Sequence, residues 1–233
     1  MNNIVDLLSN NDFRYEKKYV FSSLNENNFF FHLNKHPFLF EHAYDDRFIN
    51  NIYFDTPSMT SYWDNVDGLS KRLKVRIRWY GNTYGNIKSP VLEFKIRNNA
   101  LGNKVSFKLN EIYVDSELTI ESIHNQFKQL DLPAPVKEFL LSLRMTLMNG
   151  YLRKYYISKD RKYRITYDTN LQFFSMDNYK NFFLKNLKPF NRRILEIKYD
   201  ECMEDEASQV SNYFPFRMTK SSKYVYGIDK LKL

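Results

Sequence analysis

Cysteine is almost absent from this 233-residue chain: Cys202 is the only one. A lone thiol excludes an intramolecular disulfide and a cysteine-based zinc site, and it suits a reducing compartment. With no histidine partner in sight, Cys202 reads as a structural residue. Histidine is scarce as well. His32, His36, His42 and His124 are scattered over predicted helices and loops and are assigned no metal. Glycine and proline number 6 and 7, too few for low-complexity disorder or a glycine-rich phosphate cradle. Gly81 and Gly85 flank a turn and do not form a P-loop. No apolar run approaches the roughly 20 residues of a bilayer span. The first residues lack the basic start and long apolar stretch of a signal peptide. The expected setting is soluble and cytoplasmic.

What is abundant is aromatic and basic. Phe, Tyr and Trp make up 17% of the chain, hydrophobic residues 43%, and the formal net charge is +8. That suffices for one sizeable core in a single domain over residues 1–233, and it favours an anionic partner. Strands are predicted at 13–21, 48–55, 71–80, 91–97, 104–110, 150–157, 162–169 and 193–200. A helix capped by Ser22 or Ser23 runs towards Pro37 with the 29–32 aromatics in its core, and a short one covers 58–66. The stretch 117–149 reads as helical throughout, and another helix spans about 203–213. The tail from Thr219 to Leu231 has no clear period. Strands, helices, strands, helix, without βαβ alternation, mean α+β with an antiparallel sheet.

Alternation carries the chemistry, because successive strand residues face opposite ways. Lys74, Arg76 and Arg78 share one face, and Leu73, Val75, Ile77 and Trp79 the other. Glu93, Lys95 and Arg97 oppose Leu92, Phe94 and Ile96. Lys104 and Lys108 oppose Val105, Phe107 and Leu109. Arg164 and Asp168, then Glu196 and Lys198, repeat the pattern, and the first strand places Arg14, Glu16 and Lys18 together. One such strand is an ordinary sheet with a wet face. Six of them suggest a sheet closed on its charged side, since helices pack only on the apolar side. An open basic sheet also fits. A lumen lined by cations is costly unless an anion fills it, and a polyphosphate suits Arg forks and Lys point charges. Carboxylates among the cations point to a divalent metal. For Glu93 an ion pair is the expectation, and for Glu196 a metal. A nucleic-acid-binding sheet is the competing reading, and the few aromatics on the charged faces speak against it.

The motifs, in order, resemble one family. Arg14-Tyr15-Glu16-Lys17-Lys18-Tyr19 is similar to an R-x-E-x-K-Y opening. Asn51 to Asp55 resembles a strand ending in Tyr-Phe-Asp. Lys74 to Gly81 resembles R-x-R-x-Y-G, and Glu93-Phe94-Lys95 matches E-x-K. Arg153 to Tyr156 and Arg164 to Asp168 look like paired Arg-bearing strands. Leu195-Glu196-Ile197-Lys198-Tyr199 resembles L-E-x-K, and Ser221 to Tyr224 a terminal S-K-Y. Together they resemble the VTC (polyphosphate polymerase) domain of the triphosphate tunnel metalloenzyme, CYTH-like, superfamily. The resemblance implies a closed eight-stranded β-tunnel with helices outside. It implies Mn²⁺ or Mg²⁺ dependence and transfer of the terminal phosphate of ATP to polyphosphate, with a triphosphatase as the alternative. Lys18, Arg76, Arg78, Lys95, Arg153, Arg164 and Lys223 would bind the phosphates. Glu196 and Glu16 would hold the metal. Arg14, Lys74, Lys104, Lys198 and Ser222 are further candidate phosphate contacts. ATP and polyphosphate or another triphosphate are the expected partners, without nucleic acid. A membrane-protein partner is left open.

Overall fold

In the computed structural model, residues 2–8, 14–181, 183 and 185–233 are described. Eleven strands are found among them: β1 (Arg14–Ser22), β2 (Glu41–Asp55), β3 (Lys71–Tyr80), β4 (Gly85–Ile87), β5 (Val91–Asn98), β6 (Leu101–Lys108), β7 (Ile112–Val114), β8 (Arg144–Ile157), β9 (Arg164–Ser175), β10 (Asn186–Leu187) and β11 (Arg192–Asp200). The helices are α1 (Asn2–Leu8), α2 (Glu26–Asn34), α3 (Thr60–Val66), α4 (Ile120–Lys128), α5 (Ala134–Ser142), α6 (Glu204–Ser211) and α7 (Lys223–Leu231). Phe13, expected to begin the first strand, lies outside the described residues.

Eight strands close into an antiparallel ring in the order β1, β11, β9, β8, β2, β3, β5, β6 and back to β1. Most neighbours pair over long registers, but β6 meets β1 only through Arg14 opposite Gly102 and Tyr15 opposite Leu101. This short seam is where the ring is most weakly zipped. β4 and β7 form a separate two-stranded ribbon, and β10 flanks β9.

Three boundaries correct the sequence reading. Residues 144–149 are strand, not the end of a helix: α5 stops at Ser142, and Leu143 is extended at ψ 155°. Pairing with β2 and β9 outweighs the helix propensity of Leu and Met there. β2 starts at Glu41, seven residues early, and irregular register between His42 and Arg47 hides its alternation. The helix predicted from Ser22 or Ser23 opens with a 3₁₀ turn over Ser23–Asn25, and no side chain caps it.

Helices cover the outer face of the ring. Leu73, Val75, Ile77, Leu92 and Phe94 join Ile123 and Phe127 of α4 and Val136 and Leu140 of α5 in one core. A second core sets Phe29 and Leu33 of α2 and Val210 of α6 against Phe21, Tyr167, Leu195 and Ile197. Of the 29–32 aromatics only Phe29 is fully buried, and Phe31 is exposed. His36 is buried beneath this layer, with its ring bonded to the Val210 carbonyl.

The third core is different, because it lies on the inner face. Tyr224 and Ile228 of α7 pack on Ile49, Leu147, Phe173 and Ile194. The fit is close: a Cβ on Gly227 would lie 2.5 Å from Leu147 Cδ2 and 2.8 Å from Phe173 Cδ1. α7 therefore fills the β8–β9 side of one end of the ring. No helix among the described residues is long and apolar enough to cross a membrane.

Candidate functional site

The inward side chains of the ring enclose a cavity of about 1470 Å³. Every phosphate or metal candidate named from the sequence borders it. β1 brings Arg14, Glu16 and Lys18, while β3 brings Lys74, Arg76 and Arg78. β5 supplies Lys95, β6 Lys104, β8 Arg153, β9 Arg164, and β11 both Glu196 and Lys198. Ser222 and Lys223 come from the start of α7. The cavity continues past α7, where Val225, Tyr226 and Asp229 line it together with Gly68, Leu69 and Ser70.

These residues do not form one undivided cluster. Across β1 and β11 the charges alternate, with Lys18 opposite Glu196 and Glu16 opposite Lys198. Glu196 meets Lys18 at 3.2 Å, Lys198 at 3.4 Å and Arg153 at 3.6 Å. Glu16 accepts from Lys95 at 3.1 Å and lies 3.5 Å from Lys198. Asp168 holds Arg153 through two bonds of 2.6 and 2.7 Å and also takes Lys223 at 2.5 Å. Glu93 binds Arg76 at 2.6 Å and Lys104 at 3.0 Å, which is the ion-pair role expected for it. Arg14, Lys104 and Arg164 are exposed and sit at the rim. Arg78 is held by Asn51 at 2.9 Å and Tyr151 at 3.1 Å, and its Glu93 contact is a long 3.7 Å.

The electrostatics follow from burial and neighbours. Burial raises the Glu16 carboxyl, but Lys95, Lys198 and Lys18 overturn that and hold it well below its usual value. Burial likewise opposes ionisation of Glu196, and Lys18, Lys198, Lys223 and Arg153 bring it well down. Asp168 is lowered by Arg153 and Lys223 against its own burial. Burial lowers Lys95 to about 7 although Glu16 opposes it. Lys74 falls well below the lysine range, through burial and then through Lys18, Lys95, Arg72 and Arg97. Burial would raise the Tyr151 phenol, yet Arg78, Arg153 and Lys223 pull it down.

Sequence reasoning missed part of this wall. The charged faces are not poor in aromatics: Tyr53, Tyr151 and Tyr155 line the cavity. Tyr151 and Tyr155 are two residues either side of Arg153, so alternation alone places them there. Arg72 and Arg192 line it too. Arg72 shares the parity of Lys74 and Arg192 that of Glu196, so alternation points to both, although Arg192 lies one residue before the predicted strand. Cys202 is exposed in the 3₁₀ turn before α6 and is not a core residue.

Among the described residues no group of three or more His, Cys, Asp or Glu converges on one point. Glu16 and Glu196, on adjacent strands with Lys18 bonded to both, are a two-carboxylate donor set. That fits a hard divalent ion whose remaining ligands are phosphate oxygens and water, and it does not fit an ion caged by protein alone.

Two solved structures share the architecture. A Vibrio parahaemolyticus protein described as a candidate adenylate cyclase matches with a TM-score of 0.52 at 10% identity, covering 90% of this chain and 95% of its own. A Pyrococcus horikoshii protein matches with a TM-score of 0.51 at 13% identity, covering 93% and 99%. At such identities they speak for the fold alone. No curated protein matches the chain. The VTC domain family model matches residues 13–232. With the closed ring and its cationic wall, that match over nearly the whole length places the chain in the VTC domain family.

Proposed function

We propose that this protein is a metal-dependent phosphotransferase that lengthens polyphosphate with the terminal phosphate of ATP. One observation carries the reading: the inner wall of a closed ring bears more Arg and Lys than its four buried carboxylates can neutralise. Surplus buried cations call for a multiply charged anion. Arg and Lys side chains converging from the strands around a closed ring suit a phosphate chain rather than bases stacked on an open sheet, which disfavours the nucleic-acid reading.

Phosphoryl transfer needs positioning and charge neutralisation more than covalent help. Arg78 is oriented by Asn51 and Tyr151 and keeps guanidinium donors for phosphate oxygens. Arg76 and Arg153 are fixed by Glu93 and Asp168, so their remaining N–H groups are aimed before ligand arrives. Lys18, Lys95 and Lys223 add point charges between the strands. Glu196, with Glu16, would hold Mn²⁺ or Mg²⁺, which when bound supplies neutralisation of the phosphate oxygens. The passage beside α7 leaves room for a chain to extend beyond a triphosphate.

The test uses ATP labelled at its terminal phosphate, incubated with the purified chain and Mn²⁺. Label recovered in a polymer degraded by a polyphosphatase supports the proposal. Label recovered only as orthophosphate assigns the site to a triphosphatase.

A further inference from the structure

The end of the ring away from α7 carries an aromatic cluster that the phosphate wall does not use. α7 packs on Leu147, near the start of β8, and Tyr155 lies towards the other end of that strand. There the guanidinium carbon of Arg47 sits over three rings, Tyr44 at 5.4 Å, Tyr80 at 5.5 Å and Tyr155 at 5.8 Å. Tyr44 and Tyr155 meet edge to face with ring centres 5.7 Å apart, and both border the cavity. Tyr44 is 55% exposed and Tyr80 52%, and Arg47 is exposed beside them. Among the described residues the side-chain contacts of Arg47 are these rings, with no carboxylate against it.

A register shift aims the cluster inward. Tyr44 and Arg47 are three apart, so a regular strand would send them to opposite faces. Tyr44 stands opposite Tyr155 and Arg47 opposite Arg153, which are only two apart. The extra residue on β2 is a bulge, and it puts Tyr44 and Arg47 on the lumen face together. Tyr80 stands opposite Ile49, which packs in the inner core. The chain just past Tyr80 is pinned, because the Gly81 N–H donates to the Phe48 carbonyl at 2.9 Å and the Asn50 amide donates to the Gly81 carbonyl at 3.0 Å. The rings are therefore held by the sheet and still open to solvent.

Position selects the ligand. Tyr155 lies two residues beyond Arg153, about 7 Å along the strand. Arg153 belongs to the phosphate centre, and a ribose bridges a comparable distance between phosphates and a base. Tyrosine rings stack on the flat face of a base, and a guanidinium stacks too or donates to its ring nitrogens and carbonyls.

We propose that Tyr44, Arg47, Tyr80 and Tyr155 form the site for the nucleobase of a nucleoside triphosphate, at the mouth opposite α7. The proposal rests on the phosphate-chain reading of the tunnel and deepens it: the nucleotide sits with its base at this mouth and its triphosphate pointing inward.

Calorimetric titration of the full chain with ATP and with tripolyphosphate, both without metal so that nothing turns over, separates base from phosphate. The variants are Tyr44→Ala and Tyr80→Ala, with Tyr44→Phe and Tyr80→Phe to keep the ring, and circular dichroism melts establish folding. Each Ala variant should weaken ATP about tenfold, the cost of a lost base stack, and leave tripolyphosphate unchanged. The Phe variants should bind ATP as the wild type does. Folded Ala variants with unchanged ATP affinity overturn the site, as does an equal loss of ATP and tripolyphosphate. Photolabelling of the unaltered chain with 8-azido-ATP gives a reading that needs no variant. Label on the peptides carrying Tyr44 to Arg47 or Tyr80 supports the site, and label confined to other peptides overturns it. A wild type that binds tripolyphosphate but not ATP removes the base site alone. A wild type that binds neither removes the phosphate-chain reading, and the base site with it.

Discussion

Arg153 and Asp168 face each other across the β8–β9 pair that closes the ring, joined by two charge-assisted bonds of 2.6 and 2.7 Å. Asp168 is fully buried and Arg153 is 6% exposed. Removing one partner strands the other. Asp168→Ala should therefore cost about 3 kcal/mol or more in urea unfolding, because Arg153 and Lys223 both lose their counter-charge. A double variant, Arg153→Met with Asp168→Leu, should regain much of that loss. Equal stability of Asp168→Ala and the wild type would remove the pair from the account of ring closure.

Arg76 and Arg78 separate binding from folding. Arg76 neutralises buried Glu93, so Arg76→Ala should lower the melting temperature as well as affinity. Arg78 leans on Asn51 and Tyr151 and is only 3.7 Å from Glu93. Arg78→Ala should weaken tripolyphosphate binding about tenfold, the cost of one charge-assisted hydrogen bond, with a smaller melting shift. Wild-type affinity in a folded Arg78→Ala protein would remove that strand from the binding wall.

Glu196→Gln keeps shape and removes charge. Metal-dependent turnover should collapse, while tripolyphosphate binding measured without metal should hold or tighten, because a negative charge has left the lumen. Lys18 keeps Glu16 at 3.6 Å, so the fold should survive. Normal turnover with Mn²⁺ would rule out Glu196 as its ligand.

Lys74 sets a pH dependence. Its folded pKa lies well below the ordinary lysine value, through burial and the surrounding cations. Between the folded and unfolded values the unfolded chain binds more protons. The group's contribution to stability therefore rises with pH across that window and is lowest beneath it. A phosphate beside Lys74 favours the charged ammonium. Binding should take up a proton and weaken as pH rises through the window. Titrations in buffers of different ionisation heat should show proton uptake in the wild type and less in Lys74→Met. Identical uptake in both would place the proton elsewhere.

Much of this wall was legible because alternation is a local rule. Once Leu73, Val75 and Ile77 face helices, Lys74, Arg76 and Arg78 must face the lumen. The resemblance then ordered the strands that alternation could not connect. What stayed hidden depends on tertiary context. β2 begins with register shifts between His42 and Arg47, so its period is broken. Residues 144–149 have helix-compatible side chains and become strand only because β2 and β9 lie on either side. α7 reads poorly because its apolar face, Tyr224, Gly227 and Ile228, packs inside the ring, with Ser222 as the one local sign of its start. Arg192 has the parity of Glu196 and was hidden only because β11 begins one residue before the predicted strand.

Incubating the purified chain with ATP and Mn²⁺ and resolving the products on a polyacrylamide gel separates a polymerase from a triphosphatase. The expected result is a ladder of polyphosphate that grows with time as ADP accumulates. Stoichiometric ADP and orthophosphate with no ladder, even when short polyphosphate is supplied as primer, would contradict it.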